Sequence, residues 1–475
     1  MGEGHSIGRI VLDLDTIRTE LARAPDAHLL RPIGLRELVL GVDVLGDLPD
    51  VLARAADPGT VAGIADATPM TRAGRDLKAT VAELGAAFVS RWLETPEERG
   101  QVHADERTVE TLTEGAAGAR CVLSVGSGTV TDIAKAVARA LGAAHVAVQT
   151  AASVNGFADD QSVLLVDGVK RTVSTQWPVA LVVDAETLVE APPAMTAAGV
   201  GDLVSMYTAA ADWFLACLAG VDGSFSDAVV RLCRGDGDDL AEVAPRVRER
   251  SPEALLDLAG LLTLTGLAIG VAGGTAPSSG MEHTVSHLVE MRATARGERA
   301  PLHGAAVGVC TVLATLYWLR LADAVVAAGA RLRVDVPGET AVRERILGAF
   351  AELDPSGRMG AECWEDYSRK LGRLRAAQSE VVRLPESLRE HRHTFDELLV
   401  PAEEVVARLK SAGAPVRFSQ LDPPVDSETA RWALSNCHLV RDRFTIADLG
   451  FLLGLWEPSD VDGLLAEAAS VGGGI

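Results

Sequence analysis

Apolar and polar positions follow two rhythms along this chain, and the change falls near residue 190. Before it, short apolar runs of strand length at residues 37–44, 61–65, 121–125, 144–149 and 180–184 are separated by stretches with helical spacing, such as 48–56, 73–77, 81–84 and 130–141. Residues 86–118 are charged and mixed and read as helix and connection. Runs at 162–166 and 169–173 flank Asp167-Gly168, a favoured two-residue hairpin turn. After residue 190 the apolar positions recur almost only at helical spacing, from 203–220 through 253–270, 281–291 and 305–321 to 461–469. Alternating strands and helices followed by an all-helical half predict an α/β N-terminal dinucleotide-binding domain, residues 1–190, and an all-α C-terminal domain, residues 191–475, with a cleft between them.

Composition narrows the function more than the fold. The 475 residues are 48% hydrophobic but 4% aromatic, with a formal net charge of −22. That charge argues against nucleic acid or an anionic membrane as partner, since both need a basic face. A small anionic ligand needs only a local cradle and stays open. Six cysteines with no CxxC suggest reduced thiols and a cytoplasmic protein rather than a disulfide framework. The N-terminus lacks the pattern of a signal peptide, and no run of about 18 apolar residues predicts a membrane span. The basic stretches 246–250 and 389–393 read as solvated helix faces, and the glycine-rich end, 471–475, as frayed.

Three places carry candidate chemistry. Three of the ten histidines lie between residues 279 and 308: His283 and His287 share one face of a predicted helix, and His303 sits in a Pro-Leu-His-Gly turn opening the next. Such a set is either a surface and capping group or part of a metal site completed by a carboxylate. Asp202, at Gly-Val-Gly-Asp-Leu, is either a helix cap or such a carboxylate. The GSGT turn at Gly126, Ser127, Gly128 and Thr129, between a strand and a helix, is either an ordinary connection or a phosphate cradle of backbone N–H groups. It matches neither GxGxxG nor a Walker motif, because Lys135 comes too late. Asp66 closes a strand where a carboxylate could hold ribose hydroxyls, or is simply a polar strand end.

The segments GSGTVTDIAK, TAASVNGF, AAGVGDLVSMYTAAADW, SSGMEHTVSH, PLHGAAVGV and LVRDRFTIADLG occur in the order found in the sn-glycerol-1-phosphate dehydrogenase branch of the iron-containing alcohol dehydrogenase superfamily, and the chain resembles that branch over most of residues 35–455. The resemblance implies a dehydroquinate synthase-like fold with the active site in the cleft, NAD or NADP as cofactor, and one divalent metal per chain, zinc, nickel or iron. Asp202, His283 and His303 match the metal ligands. His287 matches a histidine near the nicotinamide, able to relay a proton or to orient His283. Gly126, Ser127, Gly128, Thr129 and Asp132 match the pyrophosphate turn, and Asp66 and Thr150 match cofactor-contacting positions. The implied chemistry is hydride transfer between nicotinamide and a hydroxyl or ketone polarised by the metal. A homo-oligomer, a dimer or higher, is expected.

Departures from the branch bear on substrate. Asn155 stands where a substrate-contacting aspartate is usual, Ala158 and Asp159 replace a Thr-Ser pair near the cofactor, and Met206 replaces a lysine one turn after Asp202. A lost cation and an added carboxylate both disfavour a dianionic substrate, so another polyol, cyclitol or hydroxyketone is expected. Two rival readings are a redox-neutral lyase or cyclase of the dehydroquinate synthase type and a non-catalytic binding relative.

Overall fold

The computed structural model describes residues 12–67, 71–72, 75–98, 101–235 and 238–475. Eight strands matter here: β1 (Glu37–Gly41), β2 (Val61–Ala65), β3 (Val89–Glu94), β4 (Cys121–Gly126), β5 (Ala144–Gln149), β6 (Gln161–Val166), β7 (Val169–Ser174) and β8 (Ala180–Asp184). Seven helices position the candidate residues: α1 (Gly128–Leu141), α2 (Pro193–Leu203), α3 (Met206–Leu218), α4 (Pro252–Ala272), α5 (Met281–Arg296), α6 (His303–Ala328) and α7 (Ile446–Leu452).

Six strands form one sheet in the order β1-β8-β5-β4-β2-β3, parallel at every pairing. β2, β4 and β8 are buried at every residue, as interior strands covered on both faces must be, which explains their continuous apolar runs. One face packs on Leu48, Val51, Leu52, Leu77 and Val81. The other packs on Leu112, Val130, Ile133, Ala134 and Val137. From β2 the chain steps outward to β3 and then returns on the other side as β4, so the strand order reverses between β2 and β4. Ligands of parallel α/β sheets bind outside the carboxyl ends of the strands at such a reversal.

The pattern of residues 86–118 misses β3. Ser90, Arg91 and Glu94 are exposed, because β3 pairs only with β2 at the sheet edge and needs no continuous apolar run. The expected helical stretch 73–77 falls partly outside the described residues, and a helix runs over Leu77–Leu84. The predicted hairpin forms, β6 with β7, and Asp167 and Gly168 take φ of 46° and 80°. Both are left-handed, as a type I′ turn requires.

Contacts divide the chain elsewhere than at residue 190. One unit comprises Met1–Val166, Arg171–Leu203 and Ser226–Thr275; the other comprises Asp167–Lys170, Val204–Phe225 and Ala276–Ile475. The apolar helix α4 belongs to the first unit, packing on α2 and on the helix Asp227–Arg234. Helical periodicity alone cannot tell which neighbour a helix buries its face against. α4 and α6 are long and apolar enough to cross a membrane by composition, and the windows concerned are 100% and 89% buried within the protein.

Two smaller expectations are corrected. Arg246 and Arg250 are not a solvated face: Arg246 pairs with the fully buried Asp257 at 2.6 Å, and Arg250 donates to the carbonyls of Val189 and Ala191. The C-terminal glycines are not frayed, since Gly473 and Gly474 are buried and the Gly474 carbonyl accepts from the Phe418 N–H at 2.8 Å.

Candidate active site

In the first unit the predicted cofactor residues collect at one edge of the sheet. β2, β4 and β5 are adjacent and parallel, with Ala65 opposite Val125 and Gly126 opposite Gln149. Asp66, the Gly126–Ser127 step and Thr150 therefore follow the carboxyl ends of three neighbouring strands. Ser127 caps α1, and Gly128 and Thr129 open it. A Cβ on Gly126 would meet Val130 at 2.5 Å, and one on Gly128 would meet Val154 at 2.6 Å. The turn is thus closed to larger residues, as a close backbone approach demands. Thr150 is buried and its N–H donates to the Gly126 carbonyl at 3.1 Å.

Asp159 and Asp132 both meet Lys135. Lys135, fully buried on α1, donates to Asp159 at 2.9 Å and to the carbonyls of Gly156 and Gln161. Asp132 lies 3.5 Å from the same ammonium, and burial pushes its carboxyl up to about 6 against the pull of Lys135. The charge of Asp159 is thus engaged inside the protein, so it does not count against an anionic substrate. The late lysine of the GSGT helix pins the polar loop 155–161 instead of meeting phosphate.

That pinned loop carries Asn155, whose backbone N–H donates to Asp202 Oδ2 at 2.9 Å. Asp202 ends α2. The same helix presents Gly199 so closely to the Ala152 carbonyl that a Cβ would stand 2.1 Å from it. Glycine at 199 is what lets α2 bring Asp202 against this loop.

In the second unit the two histidine segments converge. α5 and α6 pack together, and the ring centroids of His283, His287 and His303 stand 5.3–5.9 Å apart. His283 Nδ1 bonds Glu282 at 3.0 Å, and His303 Nδ1 bonds Glu290 at 2.7 Å. Each carboxylate accepts from the Nδ1–H of its ring, which leaves Nε2 of the neutral ring with its lone pair. Glu282 is itself held by the Gly280 N–H and the Thr208 hydroxyl at 2.8 Å. Glu290 is held by Lys170 and, at 3.3 Å, by the Ser286 hydroxyl. Burial raises the Glu290 carboxyl, but Lys170 and the His303 ring outweigh it and hold it down at about 2. Asp212, on α3, accepts from the N–H of Met281 and of Ile446, both at 2.8 Å, and from the Trp318 indole at 3.0 Å. It thereby fixes the start of α5, two residues before His283, relative to α6 and α7.

The ligand atoms of Asp202, His283 and His303 all lie within 4.8 Å of one another. Two imidazoles with Nδ1 pinned and one carboxylate are a donor set that suits zinc, nickel or iron(II), with room for a further ligand. The residues present therefore fit a divalent metal.

The His283 Nδ1 meets Glu282, and that of His287 meets Arg441 Nη2 at 2.7 Å. Burial, then the charges of Arg441 and Lys170, push the His287 pKa well below the ordinary histidine value. Sequence reasoning passed over Glu282, Glu290, Lys170, Arg441 and Asp212. Glu290 could have been found, since it follows His283 and His287 on the same helical face. Lys170 and Arg441 come from distant segments and carry no local signal. Met206 is buried at the start of α3, so its position supplies no cation.

Residues 39–192 match the family model described as iron-containing alcohol dehydrogenase. A glycerol-1-phosphate dehydrogenase [NAD(P)+] from Bacillus licheniformis is 29% identical over 429 residues, covering 89% of this chain and 92% of the relative. One from Geobacillus thermodenitrificans is 31% identical over 313 residues, 65% of this chain and 76% of the relative. One from Bacillus subtilis is 32% identical, over 62% of this chain and 74% of the relative. Among solved structures, the iron-containing alcohol dehydrogenase of Corynebacterium glutamicum superposes with a TM-score of 0.52 at 14% identity, covering 91% of this chain and 94% of that one. The maleylacetate reductase of Agrobacterium tumefaciens gives 0.52 at 16% identity, covering 92% and 97%. At these identities the structures speak for the fold.

Proposed function

This chain belongs to the iron-containing alcohol dehydrogenase superfamily, on its glycerol-1-phosphate dehydrogenase branch, and from that premise we propose that it transfers hydride between NAD(P) and a small polyol or hydroxyketone, with Asp202, His283 and His303 holding one divalent metal. The observation that carries this reading is the pair of carboxylate-pinned imidazoles, His283 on Glu282 and His303 on Glu290, beside the ligand-atom cluster with Asp202.

The metal would act as a Lewis acid on the substrate oxygen, and the nicotinamide would carry the hydride. The remaining work falls to the chain. Glu282 and Glu290 hold the two rings in the tautomer that presents Nε2. The Asn155 N–H holds one oxygen of Asp202 and so limits how the carboxylate can turn. The Gly126–Thr129 turn and the α1 N-terminus would receive the cofactor pyrophosphate, with Asp66 and Thr150 at flanking strand ends. The six thiols are free, which agrees with a reducing, cytoplasmic setting. A homo-oligomer is part of the proposal.

The test is NADH and NADPH oxidation by metal-loaded protein with dihydroxyacetone phosphate and with dihydroxyacetone. Turnover of either ketone supports the reading. Absence of turnover, together with no binding of either nucleotide, would sink it.

A further inference from the structure

Arg441 donates to Nδ1 of His287 at 2.7 Å. A guanidinium has donors only and stays protonated at any pH a protein tolerates. The nitrogen it meets is therefore the one with the lone pair, and the single ring proton sits on Nε2. Nε2 is buried and has no hydrogen-bond partner among the described residues. A buried N–H without an acceptor is rare in folded proteins and calls for one. The ring stands 5.3 Å from His303 and 5.9 Å from His283, so anything seated on those two imidazoles lies next to it.

From this we propose that Arg441 is a positioning residue that makes His287 a fixed hydrogen-bond donor, offering Nε2–H to an oxygen of the bound substrate, rather than a base that takes the substrate proton. The inference rests on the dehydrogenase reading only for the identity of that oxygen. His287 cannot accept a proton at Nε2, which has no lone pair. To accept one at Nδ1 it would have to release Arg441. Arg441 is itself held at φ 64°, in the left-handed region that a residue with a Cβ adopts only where its surroundings impose it. His287 contributes by stabilising negative charge as it develops on the substrate oxygen.

The direct test is long-range 1H–15N correlation on 15N-histidine-labelled, zinc-loaded protein, with the His287 signals assigned by their loss in His287→Gln. Wild type should show a protonated Nε2 and a lone-pair Nδ1; the opposite tautomer, or an averaged ring, overturns the proposal. Arg441→Met should average the tautomers and Arg441→Lys should restore the Nε2–H form. An Arg441→Met ring that keeps its tautomer removes Arg441 from the account. These readouts do not depend on turnover, so they stand apart from any failure of the dehydrogenase reading. In turnover, glutamine can donate but cannot take a proton at that site. His287→Gln should stay within about tenfold of wild-type kcat while His287→Ala falls at least about 100-fold. Equal loss in both points to a base, and a change confined to the NADH Kd points to a cofactor contact; either overturns the assignment.

Discussion

Replacing Asp159 with alanine should damage both the stability of this chain and its hold on metal, because among the described residues Lys135 has no other carboxylate as close. The Lys135 side chain is 0% exposed and that of Asp159 2%. Three oxygens surround the ammonium: Asp159 Oδ1 at 2.9 Å, the Gly156 carbonyl at 2.9 Å and the Gln161 carbonyl. Removing one partner of a buried pair leaves an uncompensated buried charge and costs about 3–5 kcal/mol. Asp132, at 3.5 Å, recovers part of that, so the lower half of the range is expected. For a unit of this size the loss corresponds to a Tm lower by about 6–16 °C. Lys135→Met should cost at least as much, since it strands both Asp159 and Asp132. The double variant Lys135→Met, Asp159→Leu should recover most of the loss, within about 2 kcal/mol of wild type, because a hydrophobic pair of similar volume often replaces a buried ion pair at little cost. Urea unfolding of wild type, Lys135→Met, Asp159→Leu and the double variant measures the coupling. Metal affinity should fall in Asp159→Ala as well, because the loop it pins carries the Asn155 N–H that holds Asp202. An Asp159→Ala loss below about 1 kcal/mol, or a double variant as unstable as the two singles added, would refute the reasoning.

Two further outcomes follow from the charge environment. His145, buried on β5 with Nε2 2.8 Å from the Ser124 hydroxyl, is pushed down to about 3 by burial and then by Lys135. Its folded pKa lies below the unfolded value, so its contribution is fully present above pH 6.5 and is lost as pH falls from 6.5 toward 3. Wild type should therefore lose about 1.4 kcal/mol per pH unit more than His145→Leu between pH 5.5 and 4; parallel stability curves would contradict this. Glu290→Gln keeps an acceptor for His303 but removes the charge that Lys170 neutralises. It should weaken metal affinity about 10–100-fold in chelator competition, and unchanged affinity would show that Glu290 does not act through His303.

Much of this site was legible in the sequence for reasons that are local. A strand buried on both faces writes a continuous apolar run, as in β2, β4 and β8, and a glycine turn against a helix start writes GSGT. Three histidines on two successive helices, at 283, 287 and 303, mark one place to look for a shared site. What escaped depends on contacts between distant segments. Lys135 and Asp159 are 24 residues apart, so nothing in the spacing reveals that each neutralises the other, and Asp159 read instead as a charge facing the substrate. Arg441 reaches His287 across 154 residues and Lys170 reaches Glu290 across 120. The edge strand β3 escaped because a strand paired on one side can be polar. Domain grouping escaped because α4 is apolar all round, and its pattern does not name its neighbours.

The most direct test of the account is the metal content of purified, zinc-supplemented protein, compared with Asp202→Ala and His303→Ala variants shown by circular dichroism to be folded. The account predicts about one divalent ion per wild-type chain and its loss from both variants. A wild-type chain that retains no metal, or variants that retain as much as wild type, would contradict the assignment of Asp202, His283 and His303 and the chemistry built on it.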